Sequence, residues 1–282
     1  MSRGGGLEMQ SALADLALDE GGVHEIKPAF GLDGAPRSAW ESEVDQSDGF
    51  TGDWAAGWAA ALAFATALMA RRVEGLRLAA HGERGSGEPG SAGLLWCFSR
   101  SRCAEHGLPY VHGLEAFGLS PGQVMIAEAG NEAEVLWALE EGLRSGAPTL
   151  VAGFVDDLAL TPARRLALAA QKHGVPCLIL TDPRAPPAAA TASRWRVGPA
   201  PSGPHPLAAG QQGEGRKRGR VPRLPGPRRF ALTLERYRQA PIRAGSRIHF
   251  VEWRHEAVCF DLVAAVSDRP AAARQAGTGA VG

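Results

Sequence analysis

Asp156 and Asp157 are the adjacent carboxylates of this chain with the right chemistry for a divalent cation. They follow the apolar run Thr149 to Val155, and hard oxygen donors at a strand end can hold Mg²⁺ through one or two contacts. Such a site works on a nucleotide together with a phosphate-cradling loop, whose glycines free backbone amides for the phosphates and whose lysine reaches the terminal ones. The lysines of this chain are Lys27, Lys172 and Lys217, and none follows a glycine or precedes a serine or threonine. Gly85 to Ser91, GSGEPGS, has two glycines at the right spacing, but with Glu88, Pro89 and no lysine it reads as a flexible connector. Inside the apolar run, where many nucleotide enzymes carry an acid, stand Gly153 and Phe154. With no loop to share the ion, Asp156 and Asp157 read as the start of a solvated turn. His24 beside Glu25, His106 beside Glu105 and His249 near Glu252 are too scattered for a triad, and no GxSxG elbow exists. The expectation is a protein without a catalytic residue, a metal site or a bound cofactor.

The chemistry that is present is positive charge. Arg216, Lys217, Arg218, Arg220, Arg223, Arg228 and Arg229 fall in or just after RKRGRVPRLPGPRR with no acid among them. Such a run neutralises phosphates, and its affinity for nucleic acid falls steeply with salt. Trp195, flanked by Arg194 and Arg196, adds a ring for stacking on an unpaired base. Together these are the candidate nucleic-acid-binding residues, with single-stranded DNA as the ligand. A reading of equal weight makes the run a solvated linker in an arginine-rich chain.

These residues have to be positioned by the rest of the 282-residue chain, which is long enough for one large core with extensions. Formal charge is zero, but residues 1 to 53 hold 11 acids against 3 bases, and residues 151 to 282 hold 9 against 20. The asymmetry points to a polyanion or an acidic partner for the C-terminal half. Cys97, Cys103, Cys177 and Cys259 form no CxxC pair and read as buried thiols in a reducing compartment. The start MSRGGGLEMQ lacks the apolar core of a secretory signal, so cytoplasmic residence is expected. Trp54 to Ala70 is short and alanine-rich for a bilayer span and reads as a buried helix, not a membrane segment.

Element signals divide the chain. Residues 1–20 hold a weak helical pattern, and VHEI within 23–26 is the first core strand. Residues 31–53 form an acidic loop, followed by the Ala-rich helix stopping near Arg72, with basic residues in its last turn. LLWCF at 94–98, Thr149 to Val155 and Val175 to Thr181 are continuous apolar runs, as strands buried on both faces require, and Val124 to Ala127 is a further strand. Between them, Val135, Leu136, Leu139 and Leu143 recur at helical spacing up to Gly146, and Thr161 to His173 forms a helix with Thr161 as cap and Pro162 at its first position. This alternation over 21–198 predicts an α/β core with a mostly parallel sheet and flanking helices. Trp195 to Val197 is read as an edge strand. Residues 199–228 are a Pro/Gly/Arg-rich linker, 229–266 an antiparallel β-meander extension turning through 254–257, and 267–282 a disordered tail.

The order GVHEI, Ala-rich helix, GLLWCFSRS, GLPYVHGLEAFGLSPGQVMIAEA, EVLWALEEGLRSGA, LTPARRLALAAQKHGVPCLILT, ASRWRVGPAPS and a late strand cluster ending IHFVEW resembles the ImuA family of bacterial damage-inducible mutagenesis proteins over roughly residues 21–260. The resemblance implies a RecA-like sheet and an accessory role in error-prone translesion DNA synthesis under the SOS response to DNA damage. It implies as partners an ImuB-like Y-family polymerase homologue, an error-prone C-family replicative-type polymerase and RecA. The sequence departs from RecA at the loop after GVHEI, which has no phosphate-binding lysine, at Gly153 or Phe154, and at FSRSR, which ends the second strand where RecA carries an acid. The expected protein is thus a non-catalytic adaptor with a degenerate nucleotide site. The competing readings are a weak RecA-like ATPase using Asp156 or Asp157 with Mg²⁺, and a cell-division inhibitor.

Overall fold

The computed structural model describes Leu18 and residues 21–29, 51–82, 93–203, 225–238 and 248–263. The predicted N-terminal helix apart from Leu18, residues 31–50 of the predicted acidic loop at 31–53, the connector at 83–92, most of the basic run and the tail from 264 lie outside them, and residues 51–53 of that loop are helical instead.

The described residues form a nine-stranded sheet: β1 (Val23–Pro28), β2 (Leu94–Ser99), β3 (Val124–Ala129), β4 (Leu150–Val155), β5 (Cys177–Thr181), β6 (Ser193–Ala200), β7 (Arg229–Tyr237), β8 (His249–Arg254) and β9 (Cys259–Leu262). Their spatial order is β3-β2-β4-β5-β1-β6-β7-β8-β9. The first six pair in parallel, and β6 to β9 pair antiparallel. The fold is therefore α/β, a mostly parallel sheet with flanking helices and an antiparallel C-terminal extension. The extension continues the same sheet, because β7 pairs with β6 along most of its length. Strand β6 is accordingly not an edge strand; it lies between β1 and β7.

The helices are α1 (Thr51–Gly82), α2 (Arg100–His106), α3 (Val111–Glu115), α4 (Glu132–Ser145) and α5 (Leu160–His173). Strand alternation sends Leu94, Trp96, Leu150, Ala152, Phe154, Leu178, Leu180, Trp195 and Val197 into one core with α1. It sends Cys97, Val151, Val155, Cys177 and Ile179 into a second core with α4 and α5. The α1 helix runs ten residues past the predicted stop at Arg72. Those last turns leave the core, as the exposed Leu78 shows, and carry an Arg77 to Glu74 pair. The α4 helix begins at Asn131, whose side chain accepts from the Glu134 amide at 3.0 Å, and ends at Gly146 with φ 64°, as predicted. In α5 the cap is Ala159, not Thr161, and Pro162 is the third helical residue, still within the turn whose amides have no intrahelical acceptor. The α4 helix lies so close to the sheet that a Cβ at Gly142 would sit 2.6 Å from Leu95 Cδ2. Among the described residues no helix is long and apolar enough to cross a membrane.

Candidate functional site

In open α/β sheets, ligand sites form at the carboxyl ends of the parallel strands. At that edge β2 leads directly into α2, and the Ser99 side chain accepts from the Arg102 amide and caps the helix. This cap aims Arg102 across the end of β4. Its guanidinium lies 4.4 Å from the Phe154 ring centroid, pairs with Asp156 and bonds Glu105 at 3.2 Å. The Asp156 backbone N–H donates to Glu132 Oε1 at 2.7 Å, tying the strand end to the first turn of α4. Burial raises the Glu132 pKa; Arg102 lowers it in part and Asp157 adds to the rise.

Asp156 and Asp157 are both exposed just after β4, as the solvated turn read from the sequence requires. Asp156 faces a fixed cation, and among the described residues no group of three His, Cys, Asp or Glu side chains has the arrangement of a metal site. Gly153 and Phe154 separate. Phe154 faces α1, with its ring 4.5 Å from that of Trp58, whereas Gly153 faces α4, where a Cβ would stand 2.7 Å from Leu139 Cδ1.

A second polar cluster, which sequence reading missed, lies at the centre of the sheet. Glu25 and Lys27 point from β1 to the α5 side and are 0% and 1% exposed. Glu25 Oε2 accepts from Arg194 Nε at 2.6 Å and from the Ala188 amide at 3.3 Å, while Oε1 accepts from Thr181 Oγ1 at 3.0 Å. Lys27 Nζ lies 3.6 Å from Glu25 Oε1 and donates to the Ala185 carbonyl, and Arg194 also donates to the Ala188 carbonyl. The cluster pins the segment 182–192 over β1. Its sequence signal was the pair of opposite charges two residues apart on one face of an otherwise buried strand.

On the opposite face of β1, His24 Nδ1 shares a 2.8 Å hydrogen bond with Ser193 Oγ, which also accepts from Trp195 Nε1 at 2.9 Å. Burial first, and the positive charge of Arg238 second, lower the His24 pKa from 6.5 to about 4. The folded protein therefore holds a neutral imidazole that the unfolded chain would protonate below pH 6.5. Stability from this group is present above pH 6.5 and declines as pH falls towards 4, by about 3 kcal/mol in total. Urea unfolding at pH 7.5, 5.5 and 4.5 is expected to show this decline in the wild type and a flatter profile in His24→Met.

The structure corrects the nucleic-acid reading of Trp195 and Arg194 in β6. Trp195 is 0% exposed and packs against Phe64, so its ring is unavailable to a base. Arg194 is buried against Glu25. Arg196 is partly exposed and pairs with Glu235 at 2.6 Å. Arg228 lies 4.7 Å over the Phe117 ring, and Arg229 pairs with Glu252 at 2.8 Å. Arg216, Lys217, Arg218, Arg220 and Arg223 lie outside the described residues. Cys97 and Cys177 are buried thiols as expected, whereas Cys103 and Cys259 are partly exposed; burial pushes the Cys97 thiol up to about 12 and raises that of Cys177 as well.

No protein-family model matches the chain. Among solved structures, SulA from Pseudomonas aeruginosa is similar at 23% identity with a TM-score of 0.28, over 38% of this chain and 86% of that one. That likeness is too weak to carry an argument. Among curated proteins, Protein ImuA from two Caulobacter vibrioides strains, NA1000 / CB15N and ATCC 19089 / CIP 103742 / CB 15, is 31% identical over 179 residues. The match covers 60% of this chain and 67% of each relative. With that identity over two thirds of the relatives' length, the chain belongs to the ImuA family.

Proposed function

We propose that this protein is a non-catalytic adaptor of an error-prone translesion synthesis complex acting in the SOS response to DNA damage. The family supports the role in damage-induced mutagenesis. The observation that carries the non-catalytic part is Arg102, whose guanidinium stacks on Phe154 and pairs with Asp156, the acid that a nucleotide-bound Mg²⁺ would otherwise need. On this reading the RecA-like sheet is a docking platform. Its partners are an ImuB-like Y-family polymerase homologue and, through it or directly, an error-prone C-family polymerase and RecA. The basic run from Arg216 to Arg229 contacts single-stranded DNA or an acidic partner surface, without Trp195 or Arg194.

The test is capture of the ImuB-like polymerase from the same genome by this protein, repeated at high salt and after nuclease. Retention under both conditions is the expected result. Loss after nuclease would mean shared DNA in place of a direct interface, and no capture would overturn the adaptor reading. ATP binding in calorimetry that disappears in Asp156→Ala would replace it with the ATPase.

A further inference from the structure

An apolar hollow of about 280 Å³ opens between α1, β2, β4 and the segment 107–117. Its walls are aromatic: Trp96, Phe98, Phe117 and Phe154 all line it, and each is at most 5% exposed. The Trp96 indole N–H is buried and has no acceptor among the described residues. Around the hollow, Leu108 and Tyr110 are 54% and 72% exposed, large apolar side chains left in water beside an apolar cavity.

The charge among the lining residues is positive but uneven. Arg102 is already engaged by Asp156 and Glu105, whereas Arg228 is exposed, stacks on Phe117 and has no carboxylate partner among the described residues. An aromatic pocket ringed by Tyr and Arg is the usual form of a protein-interface anchor site, in which one large side chain fills a desolvated hole. Nucleic acid fits less well. Base stacking needs exposed ring faces, and here four of the rings are buried walls.

We propose that this hollow is the docking site for a short acidic segment of a partner protein, which inserts one large apolar side chain between Trp96 and Phe117 and sets a neighbouring carboxylate on Arg228. A carbonyl or other acceptor of the inserted segment meets the Trp96 N–H. The proposal rests on the adaptor reading and supplies the surface and partner chemistry that reading lacks.

The probe is a capped tripeptide with fluorinated tryptophan between two aspartates, titrated with the full-length protein and followed by fluorine NMR. Binding at millimolar affinity or better is expected, at least ~10-fold tighter than for the same peptide flanked by lysines. Ala63→Leu, which fills the hollow, is expected to abolish it, and Arg228→Glu to invert the preference towards the lysine-flanked peptide. Thermal melting checks that each variant folds, and the Arg228 arm decides if Ala63→Leu does not. No binding, equal affinity for both peptides, or affinity unchanged by Arg228→Glu would overturn the proposal. So would binding of oligothymidylate with the same variant sensitivity and no peptide binding. If the wild type retains the polymerase but shows none of the expected peptide binding, this proposal falls and the adaptor reading stands.

Discussion

Glu25→Ala is expected to destabilise the protein by about 3–5 kcal/mol, read as a lower urea midpoint at pH 7.5 with little change in slope. The size follows from what the substitution leaves behind. Lys27 and Arg194 are 1% and 7% exposed, and Glu25 is the carboxylate that both approach, at 3.6 and 2.6 Å. Removing it strands two cations in the interior, where the loss of a partner is far more damaging than the loss of the whole ion cluster. Glu25→Gln keeps the shape and one acceptor for Arg194 but not the charge, and a smaller loss is expected. A triple change of Glu25, Lys27 and Arg194 to methionine removes every charge together and is expected to recover much of the stability. The Thr181 hydroxyl and the Ala188 amide lose their acceptor in that variant, so recovery will be incomplete. If Glu25→Ala were as stable as the wild type, the cluster would not be holding the 182–192 segment.

The same cluster shows why some of the molecule was legible in sequence and some was not. Continuous apolar runs reveal parallel strands because both faces of each strand are covered by helices, so LLWCF, LVAGFV and CLILT declare themselves within a few residues. Helix α4 is equally local, with its cap, its apolar stripe and its terminal glycine all inside a short window. Arg194 and Trp195 were misread as a nucleic-acid contact for the opposite reason. A tryptophan between two arginines looks solvent-facing, and its true environment depends on Glu25, which lies 169 residues away in the chain from Arg194, on Ser193 bonded to the equally distant His24, and on Glu235 across the β7 pairing. Placing β6 beside β1 turned a supposed edge into the sheet interior, where alternate residues enter opposite cores. The Arg102 to Asp156 pair was hidden in the same way, because it joins the start of α2 to the end of β4, with α3, β3 and α4 between them in the chain.

Gly153→Asp and Phe154→Asp distinguish the two positions at which a nucleotide enzyme would place its acid, and the first is expected to be the more damaging. Any side chain at Gly153 points at α4, where a Cβ would lie 2.7 and 3.2 Å from the two methyls of Leu139 and 3.3 Å from its Cγ. Even Gly153→Ala is expected to lose about 1–3 kcal/mol by overpacking. Aspartate adds a carboxylate within the wholly buried β4, among Leu139, Val151 and Val155. A loss beyond about 4 kcal/mol, a large share of the stability of an ordinary domain, is the expected outcome. At Phe154 the side chain instead points to the α1 face and meets Arg102. Phe154→Asp gives up the ring contacts with Trp58 and the cation–π contact, a loss of about 3–5 kcal/mol on the scale of large aromatic truncations, partly offset by a new partner for the guanidinium. Circular dichroism and urea melts of the two variants at neutral pH would check the order. If Gly153→Asp folded and Phe154→Asp did not, the α4 face would have to yield more readily than its packing indicates. A carboxylate placed at Phe154 would be engaged by Arg102 instead of free for a metal ion.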